Sequence, residues 1–307
     1  MTISIEGLSK RYGGRYAIRD VSFEVHPGIV TGFLGPNGAG KSTTLRSIVG
    51  LDRPTAGRAL IDGTPYRKLR APLLEVGTLL DGGSAHKART AVDHLRWIAA
   101  THGIGRRRVG EVMELAGLGS VARRRVGGFS LGMTQRLGIA VALLGDPHTL
   151  ILDEPVNGLD PDGVTWLRGL LAGFAASGGT VFLSSHLLGE LSLIAQHIVV
   201  IGRGQIIADK PLSELVSPRP IVHVRTPSLP ELTLLLAGEG VTVANVAAGT
   251  AELEGISAEA VAERAASAGI VLYELRNATT QLEDAYNMLT RDAVEYGMPD
   301  RPGPTEA

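Results

Sequence analysis

The first thirty residues alternate apolar and polar positions as half-buried strands do. ISIEGL is followed by VSFEVHPG, in which Val21, Phe23 and Val25 share one face. GIVTGFLG is instead a continuous apolar run, the pattern of a strand covered on both sides, and KSTTLRSIVGL continues it with helical spacing. DRPTAG reads as a turn and RALIDG as a further strand. From about 87 to 145 the period is helical, with Val92, Leu95, Ile98 and Ala99 on one stripe. Strand and helix then alternate through TLILDEP, VTWLRGLLAGFAAS, TVFLSSH, LLGELSLIA and HIVVIGRGQIIA. This alternation predicts an α/β domain, a largely parallel sheet covered by helices, with 87–145 an inserted helical subdomain.

Beyond residue 218 the order changes. IVHVRT, VTVANVA, TAELEG and IVLYELR read as strands, and LPELTLLLAGEG and SAEAVAERAASAG as helices. The order βαββαβ is that of a split βαβ, or ferredoxin-like, α+β domain over 219–292. A last helix is expected through TTQLEDAYNMLT, and the composition of 293–307 predicts a disordered tail. Charge supports the division. Residues 1–218 hold 24 basic and 18 acidic side chains, whereas 219–307 hold 6 and 13.

The absence of cysteine excludes disulfides, thiol nucleophiles and thiolate-bound zinc, and fits a reducing cytoplasm. A net charge of −1 gives no bulk signal for nucleic acid, and none is expected as a partner. No run approaches the roughly 20 apolar residues of a spanning helix.

Three stretches carry chemistry. Gly35-Pro36-Asn37-Gly38-Ala39-Gly40-Lys41-Ser42 fits G-x-x-x-x-G-K-S, between an apolar strand and a helix. Its glycines let backbone amides turn inward around phosphates. Lys41 supplies a cation to the β and γ positions of a nucleotide, and Ser42 a hydroxyl for Mg²⁺. TLILDEP ends a buried strand in two adjacent acids, a costly arrangement without a task. Beside a phosphate loop, Asp153 is expected to hold Mg²⁺ through water and Glu154 to polarise the attacking water. His186 closes the strand TVFLSSH, where a doubly wound sheet places ligands, and reads either as a strand-end histidine or as a γ-phosphate sensor. In GFSLGMTQR, Ser130 and Gly132 stand at a helix start, where free amides favour an anion.

With these motifs in this order, residues 1–218 resemble the ATP-binding subunit of an ABC transporter. The resemblance implies a P-loop cassette with a mixed-sheet core, ATP and Mg²⁺ as ligands, and ATP hydrolysis. It implies that Tyr12 stacks on adenine and that Gly35 to Thr43 is the Walker A loop. Asp153 and Glu154 would form Walker B with the catalytic glutamate, Asn157 to Asp160 the D-loop, and His186 the switch histidine. FSLGM aligns with the signature, usually LSGGQ, so Ser130, Leu131, Gly132 and Met133 would close on the ATP of a second copy or paralogue. Leu131 and Met133 depart from the usual Gly and Gln. Asp81 stands where a Gln is usual and would meet Mg²⁺ or a water. Both departures resemble the bacitracin and daunorubicin-resistance exporter branch. The implied partner is an integral membrane permease, and the implied location is the cytoplasmic face of the membrane. Alternatives of another class are a soluble ABC-type ATPase acting on ribosome or DNA, or an ATP-binding regulator. Two triplets, Arg106-Arg107-Arg108 and Arg123-Arg124-Arg125, read as solvated surface or as contacts to acidic headgroups.

Overall fold

Strands made of unbroken apolar runs are buried on both faces and therefore occupy the middle of a sheet. The computed structural model describes residues 1–80, 85–215, 221–237 and 240–278. The strands are β1 (Ile3–Tyr12), β2 (Arg15–Val25), β3 (Val30–Leu34), β4 (Ala56–Ile61), β5 (Val76–Leu79), β6 (Thr149–Leu152), β7 (Thr180–Ser185), β8 (His197–Gly202), β9 (Gln205–Pro211), β10 (Ile221–Arg225), β11 (Thr242–Ala247), β12 (Thr250–Glu254) and β13 (Glu274–Ala278). The helices are α1 (Lys41–Ile48), α2 (Pro72–Glu75), α3 (Ala91–Thr101), α4 (Arg106–Leu115), α5 (Leu131–Leu143), α6 (Pro161–Ala176), α7 (Leu188–Ser192), α8 (Leu212–Leu215), α9 (Leu229–Leu236) and α10 (Ala258–Ser267).

The first unit runs from Met1 to Pro211 and the second begins at Leu212. The division follows the end of β9, a few residues before the 218 read from charge, which lies outside the described residues. In the first unit six strands are ordered β5-β6-β7-β3-β8-β9, parallel except for β9. β3, β6 and β7 are buried at every position. The alternating N-terminal strands form a separate antiparallel sheet, β2-β1-β4. Its inward residues, among them Ile3, Val21 and Val25, share one core with Phe33, Ile151, Phe182, Val199 and Ile201. The rings of Phe23, Phe33 and Phe182 meet at 5.3–5.5 Å. α3, α4 and α5 are inserted between β5 and β6, as the helical period from 87 to 145 predicts.

Three local expectations differ. HIVVIGRGQIIA is a hairpin, because Arg203 and Gly204 have φ of 46° and 78°, the two positive angles a tight two-residue turn requires. LLGELSLIA keeps only the five-residue α7. In IVLYELR the strand starts at Glu274, four residues late, because Ile270 N still donates to Ala265 O at the end of α10 and Val271 O accepts from the Thr226 hydroxyl.

The second unit is a four-stranded antiparallel sheet, β11-β12-β10-β13, the strand order of an interleaved split βαβ. Val222, Val224, Ala251 and Leu253 pack with Leu232 and Leu236 of α9 and Val261 and Ala265 of α10. The expected helix TTQLEDAYNMLT and the tail 293–307 lie outside the described residues.

Candidate functional site

β3 lies between β7 and β8 and delivers the chain into the loop Gly35–Gly40 at the carboxyl end of the parallel strands. The loop's glycines are fixed by space as well as by φ. A Cβ on Gly35 would lie 2.4 Å from Ile201 O, and one on Gly40, at φ +111°, would lie 2.6 Å from Ile18 Cγ2. α1 then opens with no side-chain cap and no acid in its first turn, which leaves its amides for an anion. Lys41 is buried; its Nζ donates to Gly35 O at 2.8 Å and stands 3.4 Å from Glu154 Oε1. Pro36 O also accepts from Nζ, at 3.4 Å. Asn37, Gly38 and Ser42 are exposed, and Ala39 is buried, its amide donating to Pro36 O.

β6 ends at Leu152, and the next two residues turn into the same region. Asp153 N donates to Leu79 O at 2.7 Å, and Asp153 Oδ1 accepts from the Ser184 hydroxyl. Glu154 has φ +48°, which costs a residue with a Cβ about 1–2 kcal/mol. It is held there from four sides. Its amide donates to Ser184 Oγ at 3.0 Å, its carbonyl accepts from Gln135 Nε2 at 3.1 Å, Oε1 faces Lys41, and Oε2 is 2.9 Å from His186 Nδ1. The three separate stretches that carry Lys41, Glu154 and His186 thus meet in one cluster.

Tyr12 ends β1. Its hydroxyl donates to Asp52 Oδ2 at 3.0 Å and is hydrogen-bonded by Thr43, while Lys10 Nζ lies 4.9 Å from the ring centroid. Burial, and next the bond to Asp52, push the phenol above its ordinary value, so it stays a protonated donor. About half of Tyr12 is exposed. It borders a cleft of about 420 Å³ together with Arg15, Tyr16, Ala17, Gly38 and Arg203, so an aromatic wall and the phosphate loop face one space.

At the head of α5, Ser130 Oγ accepts from Met133 N at 3.2 Å. Leu131 is 67% exposed and lies over Gly158, and a Cβ on Gly132 would come within 2.8 Å of Gly158 O. Asp160 is an N-cap, its Oδ1 accepting from Gly163 N at 2.8 Å. The helix start and the turn 157–160 are therefore in contact. Asp81 lies outside the described residues. Among the described residues no group of three acids or histidines forms a ready metal cage. Mg²⁺ needs none, because it takes one or two protein oxygens and completes its shell with phosphate and water.

Residues 18–157 match the ABC transporter family, and residues 220–283 match a domain of unknown function (DUF8746). A lantibiotic transport ATP-binding protein of Streptococcus pyogenes is 37% identical over 68% of this chain and 90% of its own. This chain belongs to the ATP-binding subunits of ABC transporters. The bacitracin transport ATP-binding protein of Bacillus licheniformis is 39% identical over 69% of this chain and 71% of its own. An uncharacterized ABC transporter ATP-binding protein of Bacillus subtilis is 34% identical over 95% and 97%, so its likeness extends through the second unit. The solved ATP-binding subunit of an ABC transporter superposes with a TM-score of 0.64 at 28% identity, over 70% of this chain and 92% of that one. As a member of this family, the ABC subunit is an ATPase coupled to transport.

Ser184 and Gln135 escaped the sequence reading. The one available signal for Ser184 was polarity, since Ser184-Ser185-His186 interrupts an otherwise apolar strand. Gln135 gave none, because its partner is a backbone carbonyl 19 residues away.

Proposed function

We propose that this subunit drives a separate membrane permease that exports a drug, antibiotic peptide or other amphiphile, and that it hydrolyses ATP as a dimer at the cytoplasmic face of the membrane. The observation that carries the catalytic reading is the strained Glu154 held between Lys41 and His186. Gly35 to Thr43 surround the phosphates with amides, Lys41 balances the β and γ charges, and Tyr12 stacks on adenine. Ser42 and Asp153 would hold Mg²⁺, Asp153 through water and with Asp81 as a further candidate, and the ion would neutralise charge on the β- and γ-phosphates.

Glu154 takes a proton from a water molecule. The water oxygen bonds to the γ-phosphorus as the bond from that phosphorus to the bridging β–γ oxygen breaks, leaving ADP and phosphate. His186 orients Glu154 and reports the γ-phosphate. Ser130 and the amide of Gly132, at the head of α5, meet the γ-phosphate held by the second subunit, with Leu131 at the rim, Met133 holding the Ser130 side chain through its amide, and Asp160 in the turn beside it. Hydrolysis then depends on dimerisation. The second unit carries no phosphate loop and serves as a regulatory or dimer-supporting domain.

Glu154→Gln tests the reading, since it keeps size and hydrogen bonding but removes the base. ATP should still bind, hydrolysis should fall by roughly 10²–10⁴-fold, and an ATP-bound dimer should accumulate in light scattering. Adding Ser130→Arg should return it to monomer. If the double variant dimerises as well as the single one, both alone and with its permease, the signature does not meet the partner's ATP. Export predicts co-purification with a protein bearing about six apolar segments of spanning length; a soluble partner in its place overturns that part.

A further inference from the structure

The second unit takes no part in ATP chemistry, and its sheet has two unlike faces. Successive residues of a strand point to opposite sides. Val222, Val224, Ala251 and Leu253 point toward α9 and α10, and both helices pack there. Neither helix covers the other side, which carries His223 and Arg225 of β10, Glu252 and Glu254 of β12, and Glu274 and Arg276 of β13. Strand pairing sets their order. His223 stands opposite Glu252 on one flank and Arg276 on the other, and Arg225 stands opposite Glu274. The charges therefore separate into halves. On the β10–β13 half, His223, Arg225 and Arg276 share one acid, with Glu274 at 3.8, 3.7 and 3.0 Å. On the β12 half, Glu252 and Glu254 form no ion pair among the described residues. The neighbouring strand β11, TVANVA, adds no charge.

A polyanion laid on this face would meet the glutamates of β12, and a polycation would meet the arginines, so neither matches the whole of it. A second copy does. When two such sheets pack face to face about a two-fold axis that runs along the strands, the β12 half of each lies over the β10–β13 half of the other. A two-fold axis across the strands would set acid on acid. We propose that this open face of the second unit docks on the same face of a second copy, Glu252 and Glu254 of each meeting Arg225 and Arg276 of the other. The inference rests on the dimer-supporting role proposed for the second unit and names the surface that performs it. Five residues long and four strands wide, the face measures about 17 by 14 Å, which places the contact at the weak end of specific interfaces.

The test is sedimentation velocity of the full chain without nucleotide, when no γ-phosphate can bridge the cassettes. Monomer–dimer exchange should appear between about 10 and 200 μM and weaken with salt. Arg225→Glu with Arg276→Glu fills the face with acids and should weaken self-association roughly tenfold or more. Glu252→Arg with Glu254→Arg reverses the other half and should do the same. Mixed in equal amounts, the two reversed chains should form a heterodimer within about threefold of wild-type affinity, which also shows that both are folded. Arg225→Lys with Arg276→Lys keeps the charge and should cost less than about threefold. Arg264→Glu, at an exposed site on α10, should change nothing. A chain still monomeric at about 200 μM would overturn both the proposal and the dimer-supporting role. Self-association that survives both reversals, a mixture that stays monomeric, or an equal loss from Arg264→Glu would overturn the proposal alone. No readout involves ATP, so failure here leaves the ATPase reading intact.

Discussion

Replacing Ser184 by alanine separates bracing of Glu154, the proposed general base, from nucleotide binding. Ser184 is fully buried, donates to Asp153 Oδ1, and accepts from Glu154 N at 3.0 Å. Alanine leaves the Glu154 amide without that acceptor and Asp153 without that donor. An unsatisfied buried donor costs about 1–3 kcal/mol, so the loss for the pair is put at about 2–3 kcal/mol. For a domain of this size each kcal/mol lowers Tm by roughly 2–4 °C, which predicts a fall of about 4–12 °C. The kinetic effect follows from φ. Glu154 sits at +48°, and once the Ser184 bond is gone the extended conformation becomes accessible. If about 1.4 kcal/mol of bracing is lost, kcat falls about tenfold. Ser184's hydrogen bonds go to Asp153 and Glu154 and none to the phosphate loop, so KM for ATP should stay within about threefold, and Ser184→Cys, with a weak donor, should lie between. Steady-state hydrolysis and a thermal melt read all three quantities. A Ser184→Ala enzyme with wild-type kcat and Tm would refute the bracing argument, and a rise in KM alone would move Ser184's role to binding.

Lys41→Ala should abolish ATP binding, because the loop loses its cation against the β and γ charges; calorimetric affinity within twofold of wild type would contradict this. Gly132→Ala puts a Cβ 2.8 Å from Gly158 O and should destabilise by about 1–3 kcal/mol. Gly169→Ala, also in a helix but with open space around it, should stabilise by roughly 0.5–1 kcal/mol; equal chemical-denaturation midpoints for the two would refute the packing account. Asp52 is held below the usual carboxylate range, first by its hydrogen bond from Arg46 and also by that from Tyr12. A depressed folded pKa contributes stability that is complete above the unfolded value of about 3.9 and is lost as pH falls through the folded one. Asp52→Asn should therefore flatten the acid limb of the stability profile below about pH 4, and an unchanged limb would show that the pair contributes nothing. Gln135→Leu removes the donor to Glu154 O and should weaken the dependence of hydrolysis rate on dimer formation more than it weakens ATP affinity; equal losses in both would remove the link.

The central strands were legible because burial on both faces leaves no polar alternation, as in VTGFL, TLIL and TVFL. The phosphate loop was legible because its chemistry demands glycines at fixed spacing before Lys41. The hairpin β8–β9 was hidden because Arg203-Gly204 interrupts a run that is apolar on both sides, and one positive φ at a non-glycine is invisible in composition. The same reason hid the strain at Glu154. The companions of the motif residues were hidden by distance along the chain. Ser184 lies 31 residues from Asp153, and what joins them is the parallel pairing of β6 with β7. Asp52, which fixes the Tyr12 hydroxyl, is 40 residues away in the turn after α1.

Gln135 shows what motif spacing alone cannot convey. It lies about one turn into α5, the helix that Ser130 caps, and it is buried against the carbonyl of Glu154. In the proposed dimer these two ends serve different nucleotides, since Ser130 faces the partner's ATP and Glu154 the subunit's own. In that proposal the hydrogen bond at 3.1 Å would join one ATP site to the other within a single chain. Gly132 and Leu131 add a second connection, packed on Gly158 in the turn that follows Glu154 by four residues. A rigid shift of α5 on closing against a partner's phosphate would pull on Glu154 through both. Because Glu154 already sits at a strained φ, a small displacement there changes the population of the competent base more than it would for a relaxed residue. In this arrangement, contact with the second nucleotide sets the readiness of the base at the first.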